Sequence, residues 1–154
     1  MPTSLKPGDG APEFSAPTGD GDTVSLADFI GKGDVVLYFY PRDNTPGCTR
    51  EARAFRDAAV EIRSRGAEIV GVSTNSEGSH RRFAANQELN FPLLADTDGS
   101  IAAAYGVLKP NGRTAERATF LVDRKGVVRR VWPKVTVKGH AQEVTRAIDE
   151  MRED

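Results

Sequence analysis

The spacing of apolar positions changes several times along the chain, and each change marks an element. Val35-Val-Leu-Tyr-Phe-Tyr40 is an unbroken apolar, β-branched and aromatic run of strand length, the pattern of a strand buried on both faces. After the polar turn Pro41-Arg-Asp-Asn-Thr-Pro-Gly47, apolar positions recur at Cys48, Ala52, Phe55, Ala59 and Ile62. Steps of four and three residues define one face of an α-helix, opened by Thr45-Pro46 and stopped by Gly66. Ala67 to Ser73 returns as a second strand, which completes a βαβ unit and requires a parallel pair. A helix from about Ser76 to Leu89 follows and is ended by Asn90-Phe91-Pro92. Leu93 to Ala95 reads as a short strand, Asp96 to Gly99 as a turn and Ser100 to Tyr105 as a short helix. Thr119 to Asp123 and Val127 to Trp132, joined across Arg124-Lys125-Gly126, form a predicted β-hairpin. The last helix runs from about Gly139 to Arg152.

Ahead of the first long strand, Pro7, Pro12, Pro17 and Thr18-Gly-Asp-Gly-Asp22 punctuate short apolar pieces. They predict a terminal hairpin from extended segments around Phe14 and Thr23 to Ser25, then a brief helical piece from Leu26 to Ile30. The order is hairpin, βαβ, α, hairpin, α, without internal repeats. It is the order of an α/β, thioredoxin-like fold: a mixed central sheet flanked by helices, with an N-terminal β-hairpin extension.

Composition narrows what such a fold does. At 154 residues the chain should bury roughly 70% of the surface it exposes when unfolded, so residues 1–154 are expected to form a single domain. Lys and Arg number 21 against 22 Asp and Glu, which leaves no net field for nucleic acid or an anionic membrane. Neither is expected as a partner. No signal-like or membrane-length apolar stretch occurs, and the expected location is cytoplasmic. One cysteine excludes an intramolecular disulfide and a CxxC pair, and two histidines are too few to complete a zinc site around it. No metal and no cofactor are expected.

Cys48 falls in the first turn of the helix after the buried strand, where unpaired backbone N–H groups and the helix dipole favour a thiolate. A free cysteine there can equally be an inert small hydrophobe. Its neighbours tilt the reading toward chemistry. Thr45 puts a hydroxyl at the helix mouth, although it could serve only as an N-cap. Pro41 and Pro46 stiffen the loop, and Pro41 can shield a thiolate from water. Glu51, one turn later, is placed to hold an arginine. A phosphate-binding cysteine loop would need arginine six positions on, where Ala54 stands. A cysteine hydrolase would need a histidine base, whereas His80 and His140 read as surface or capping residues. What remains is a thiolate activated by cationic and backbone donors.

The segment Phe39-Tyr-Pro-Arg-Asp-Asn-Thr-Pro-Gly-Cys-Thr-Arg-Glu-Ala52 resembles the active-site segment of the peroxiredoxins. Its Pro41, Thr45, Cys48 and Glu51 stand at the family's spacing. The Thr-Pro-Gly-Cys-Thr core is similar to the bacterioferritin comigratory protein, or peroxiredoxin Q, group. Similarity extends through Phe91-Pro-Leu-Leu-Ala-Asp96, Arg117-Ala-Thr-Phe-Leu-Val-Asp123 and Lys138-Gly-His140.

The resemblance implies a cofactor-free thiol peroxidase that reduces hydrogen peroxide and organic hydroperoxides through a Cys48 sulfenic acid, in antioxidant defence and redox homeostasis. It implies that Arg117 completes the site, a choice that the 21 basic residues alone would not reveal. Many members of the group carry a resolving cysteine five residues after the first or in the next helix. Those places hold Arg53 and the stretch Arg82-Phe-Ala-Ala85 here. The expected enzyme is therefore a one-cysteine variant recycled by an external thiol: thioredoxin, glutaredoxin or a low-molecular-weight thiol. With the sequence ending at Asp154, a monomer or weak homodimer is expected. Apolar character around Phe39, Tyr40 and Phe120 is the expected determinant of peroxide preference. Competing readings are a peroxide sensor or thiol relay on the same scaffold, and a non-catalytic binding or holdase module. The latter two leave different signatures in an assay, and packing alone would not ask for Pro41, Thr45, Cys48, Glu51 and Arg117 together.

Overall fold

A computed structural model describes residues 3–152. Met1, Pro2, Glu153 and Asp154, on which part of the reading of the chain ends rests, lie outside the described residues. A two-stranded antiparallel ribbon, β1 (Ser15–Pro17) and β2 (Thr23–Ser25), leads through a 3-10 turn at Leu26–Asp28 into the main sheet. The elements that follow are β3 (Asp34–Phe39), α1 (Pro46–Ser64), β4 (Ala67–Ser73), α2 (Glu77–Asn86), β5 (Leu93–Ala95), α3 (Ser100–Ala104), β6 (Ala118–Val122), β7 (Val128–Trp132) and α4 (His140–Arg152). Strand order is β5-β4-β3-β6-β7. The β3, β4 and β5 neighbours run parallel, while β6 and β7 are antiparallel to theirs. This is the mixed sheet, with a hairpin ahead of it, that the apolar patterning predicts.

Strand β3 lies in the middle of the sheet, and every residue in it is buried. Because side chains alternate across a strand, its even positions face one layer and its odd positions the other. Val36, Tyr38 and Tyr40 pack with Cys48, Ala52, Phe55, Ala59 and Ile62 of α1 and with Val144 and Ile148 of α4. Val35, Leu37 and Phe39 pack on the opposite side with Phe120, Tyr105, Ile101 and Phe14. The 3.6-residue stripe of α1 therefore sets Cys48 against the even face of β3.

Two features differ from the sequence reading. Helix α2 ends at Asn86 rather than near Leu89 because Glu88 adopts a left-handed conformation, φ 52°. The Leu89 N–H then bonds back to the Ala84 carbonyl and the Glu88 N–H to that of Ala85, a Schellman closure made here without glycine. The two histidines are not surface groups: His80 is 1% and His140 2% exposed. His140 stands edge-on to Phe55 and Trp132 and bonds to the Thr119 hydroxyl at 2.8 Å. Its buried ring is held below the usual imidazole value by desolvation, against the pull of Glu143.

Gly71 in β4 makes room for the Tyr38 ring, which stacks on Phe55 at 4.7 Å. A Cβ at Gly71 would lie 2.8 Å from Leu93 Cδ2 and 3.0 Å from the Tyr38 ring. Gly71→Ala is expected to lower stability by about 1–3 kcal/mol through overpacking. Urea unfolding checks this, and an unchanged midpoint with an unchanged slope would contradict it.

Candidate active site

The loop from Pro41 to Thr45 carries the chain from the end of β3 into α1. Asn44 sits at φ 65°, a left-handed conformation that asparagine tolerates better than most residues and that turns the chain sharply into the helix. Thr45 occupies the N-cap position in extended backbone and Pro46 the first helical position. Cys48 is therefore the third helical residue, and the N–H groups of Gly47 and Cys48 have no helical carbonyl behind them. The Thr45 hydroxyl does not cap the helix; it donates to the Arg42 carbonyl at 2.9 Å. Its lone pairs stay available to accept a bond. Pro41 is half-buried at the start of the loop.

Arg117, immediately before β6, reaches across to α1. Its Nη1 donates to Glu51 Oε1 at 2.8 Å and its Nη2 to Cys48 Sγ at 3.3 Å. The structure thus brings Cys48, Glu51 and Arg117 to one place, although 69 residues separate Cys48 from Arg117 in the chain. Cys48 is 1% exposed and Glu51 equally buried, while Arg117 keeps partial access to solvent. The guanidinium places a positive charge within hydrogen-bonding reach of the sulfur. Neither histidine is hydrogen-bonded to the sulfur, so no imidazole base adjoins it among the described residues.

Glu51 is held under tension between two environments. Burial pushes its carboxyl up from 4.5 to about 7, and Arg117 only partly pulls it back. Its second oxygen, Oε2, has no hydrogen-bond partner, and neither has the buried Tyr38 hydroxyl. Burial likewise drives the Tyr38 phenol well above its ordinary value, with the negative charges of Glu51 and Cys48 adding to the effect.

Gly47, expected to contribute a backbone N–H, matters also for the side chain it lacks. A Cβ there would lie 3.1 Å from Arg117 Nη2, so glycine leaves the space through which the guanidinium reaches the sulfur. Its place directly before the cysteine was the only available hint. Phe39 and Phe120, expected to line the peroxide pocket, do not: both point into the opposite core, and only Tyr40 lies in the layer that holds Cys48. The alternation of β3 sends neighbouring residues to opposite faces.

The AhpC/TSA family model matches residues 7–131. The chain belongs to the AhpC/TSA family, the peroxiredoxins. It is 44% identical over 147 residues to a putative peroxiredoxin bcp of Coxiella burnetii, covering 92% of this chain and 97% of that protein. Identity to peroxiredoxin Bcp of Bacillus subtilis is 40% over 156 residues, covering 97% and 99% of the two chains. Peroxidoxin BcpB from Mycobacterium tuberculosis superposes with a TM-score of 0.89 at 34% identity, over 95% of this chain and 97% of that one. A Xanthomonas campestris bacterioferritin comigratory protein, solved in work on its alkyl peroxide reduction activity, gives 0.84 at 36% identity, over 90% and 91%. This peroxiredoxin contains one cysteine, and it is the one beside Arg117.

Two predictions follow from the geometry. Because Glu51 binds its proton more tightly folded than unfolded, it makes stability fall as pH rises from about 4.5 to about 7 and adds no slope above that. Glu51→Gln should therefore flatten the dependence between pH 5 and 7.5 relative to wild type in urea unfolding; identical slopes would contradict this. Gly47→Ala should leave the fold intact but push the guanidinium off the sulfur and slow oxidation by peroxide several-fold, as measured by stopped flow.

Proposed function

We propose that the protein is a one-cysteine thiol peroxidase in which Cys48 attacks the peroxide and Arg117 organises the charge. The observation that carries the reading is the Arg117 guanidinium shared between Cys48 Sγ and Glu51 at the N-terminus of α1. Family membership supports the chemistry, and the single cysteine supports the recycling scheme.

In the peroxide step the sulfur attacks one oxygen in line with the O–O bond. An S–O bond forms, the O–O bond breaks, and both electrons leave with the second oxygen as alkoxide or hydroxide, which takes a proton to give alcohol or water. Cys48 becomes the sulfenic acid, oxidised by two electrons. Negative charge moves from the sulfur toward the departing oxygen. Donors fixed along that line stabilise the transition state more than the ground state. Arg117 and the N–H groups of Gly47 and Cys48 are those donors. Thr45, whose own proton is committed to the Arg42 carbonyl, accepts a bond from the peroxide O–H. Pro41 limits water at the sulfur, and Glu51 positions Arg117.

The sulfenic acid condenses with an external thiol to a mixed disulfide, releasing water, and a second thiol displaces Cys48 as the free thiol. The positions at which relatives were expected to carry a resolving cysteine are the exposed Arg53 and the end of α2. The external thiol is thioredoxin, glutaredoxin or a low-molecular-weight thiol. Organic hydroperoxides join hydrogen peroxide as substrates, which the alkyl peroxide reduction activity of the Xanthomonas relative supports. Among the described residues no helix is long and apolar enough to cross a membrane. On the same reading the protein acts in the cytoplasm as a monomer or weak homodimer.

Cys48→Ser should abolish turnover while leaving thermal stability close to wild type, and residual peroxide consumption would assign the chemistry to another group. Arg117→Ala should slow Cys48 oxidation by about a hundredfold to a thousandfold, the usual cost of removing one such donor. Assays of wild type with each class of thiol separate the competing readings. Stoichiometric oxidation without recycling would favour a sensor, and no oxidation at all would leave only a binding module.

A further inference from the structure

The mechanism above leaves one buried cluster of titratable side chains unused. It lies against the loop that launches α1. The Asp43 carboxylate, in the middle of that loop, accepts from the Tyr40 hydroxyl at 2.7 Å, from the Ser79 hydroxyl at 2.8 Å and from His80 Nδ1 at 2.8 Å. The Asp43 backbone N–H donates to Asn75 Oδ1 at 3.0 Å. His80 Nε2 lies 2.9 Å from the Leu94 carbonyl oxygen. Asp43 and His80 are 5% and 1% exposed. Burial pushes the Asp43 carboxyl up, but the bonds from His80, Tyr40 and Ser79 outweigh it and hold the group below its ordinary value.

Both ring nitrogens of His80 are thus held by groups that accept, a carboxylate and a backbone carbonyl. A ring with protons on both nitrogens donates to both; a neutral ring donates to one of them, and Asp43 then keeps its bonds from Tyr40 and Ser79.

The position of this pair gives it a consequence for the active site. Asp43 directly precedes the left-handed Asn44, which turns the chain into Thr45, Pro46, Gly47 and Cys48. Side-chain and backbone bonds from Asp43 reach α2 through Ser79 and His80 and the end of β4 through Asn75. They fasten the loop to two elements that carry none of the reacting groups. We propose that His80 is a positioning residue for the attack of Cys48 on peroxide: held through its two ring nitrogens by Asp43 and the Leu94 carbonyl, it fixes the loop and, through it, the direction of the sulfur and of the first-turn N–H groups. It touches neither substrate nor sulfur. The proposal rests on the peroxidase reading, because the step it sharpens is the peroxide step.

The two nitrogens can be removed separately. In His80→Asn the amide nitrogen replaces Nδ1 and keeps a donor toward Asp43. In His80→Gln the amide nitrogen replaces Nε2 and keeps the donor toward Leu94 but loses the one toward Asp43. Both variants, after a check for cooperative melting, are mixed with hydrogen peroxide under pseudo-first-order conditions, and Cys48 oxidation is followed by quenched-flow mass spectrometry. His80→Gln should react about tenfold more slowly than wild type, since small misplacement of a reacting group costs that much and more, whereas His80→Asn should stay within about threefold. A role confined to filling the core would not separate the two in this direction. In a cycle with Asp43→Asn, the double variant Asp43→Asn/His80→Gln should be no slower than the slower single variant, since both break the same contact.

Equal rates for wild type and His80→Gln, or His80→Asn as slow as His80→Gln, would overturn the positioning role while leaving the peroxidase intact. A wild type that does not react with peroxide would overturn both. Should the His80 variants fail to fold, Ser79→Ala removes a single donor from the same carboxylate. It should slow oxidation about twofold to threefold, and a rate equal to wild type would again overturn the role.

Discussion

One guanidinium ties together the two buried groups at the start of α1. Arg117 divides its donors between a sulfur that must carry negative charge to attack and a carboxylate that must stay close enough to steer it. The pairing is costly for Glu51, which is fully buried, has one oxygen without a partner and is pushed toward a neutral-range titration. Such a pair contributes little to stability, because desolvation offsets much of the attraction. Its value lies in direction: a planar fork fastened at one end has few ways to present the other.

The scaffold exists to let that fork and the helix end meet. Strand β3 is buried on both faces and delivers the loop, and α1 lies across its even face with Cys48 in the first turn. Strand β6 pairs with β3 in antiparallel register, so Arg117 at its start comes level with the end of β3 where the loop begins. Gly47 leaves the gap through which the arginine arrives. The Asp43–His80 pair fastens the same loop from its other side. The start of α1 is thereby met from two directions, by the Arg117 side chain reaching in from β6 and by the Asp43–His80 contact between the turn and α2.

Much of this was legible in the amino-acid sequence, and for identifiable reasons. The α1 stripe from Cys48 to Ile62 and the unbroken apolar run of β3 are strictly local patterns, so period alone reveals them. Glu51 was legible as a holder of an arginine because it sits one helical turn after Cys48. Arg117 was not legible from its own surroundings, since the antiparallel return of β6 that brings it near is a tertiary event. Only its match to a known family segment selected it.

The misreadings have a common origin. His80 sits in the polar string Ser76-Glu-Gly-Ser-His80, and nothing there betrays a buried partner 37 residues earlier. Phe39 and Phe120 are near the site in the chain or across the sheet, yet strand alternation turns both into the opposite core. Glu88 ended α2 early through a backbone conformation that glycine usually supplies. In each case a long-range contact or a single dihedral decided what local pattern could not.

The central claim is that Cys48 is oxidised by peroxide and can be restored only from outside the chain. Its most direct test adds one equivalent of hydrogen peroxide to the reduced protein and draws aliquots at intervals before and after a thiol is supplied, each trapped on withdrawal with a sulfenic-acid-specific carbon nucleophile for intact-mass and peptide analysis. The account predicts one adduct per chain, mapped to Cys48, in every aliquot drawn before external thiol is added and none in aliquots drawn after the thiol has acted. Peroxide consumed without an adduct at Cys48, or a sulfenic acid that returns to thiol with no thiol supplied, would contradict it.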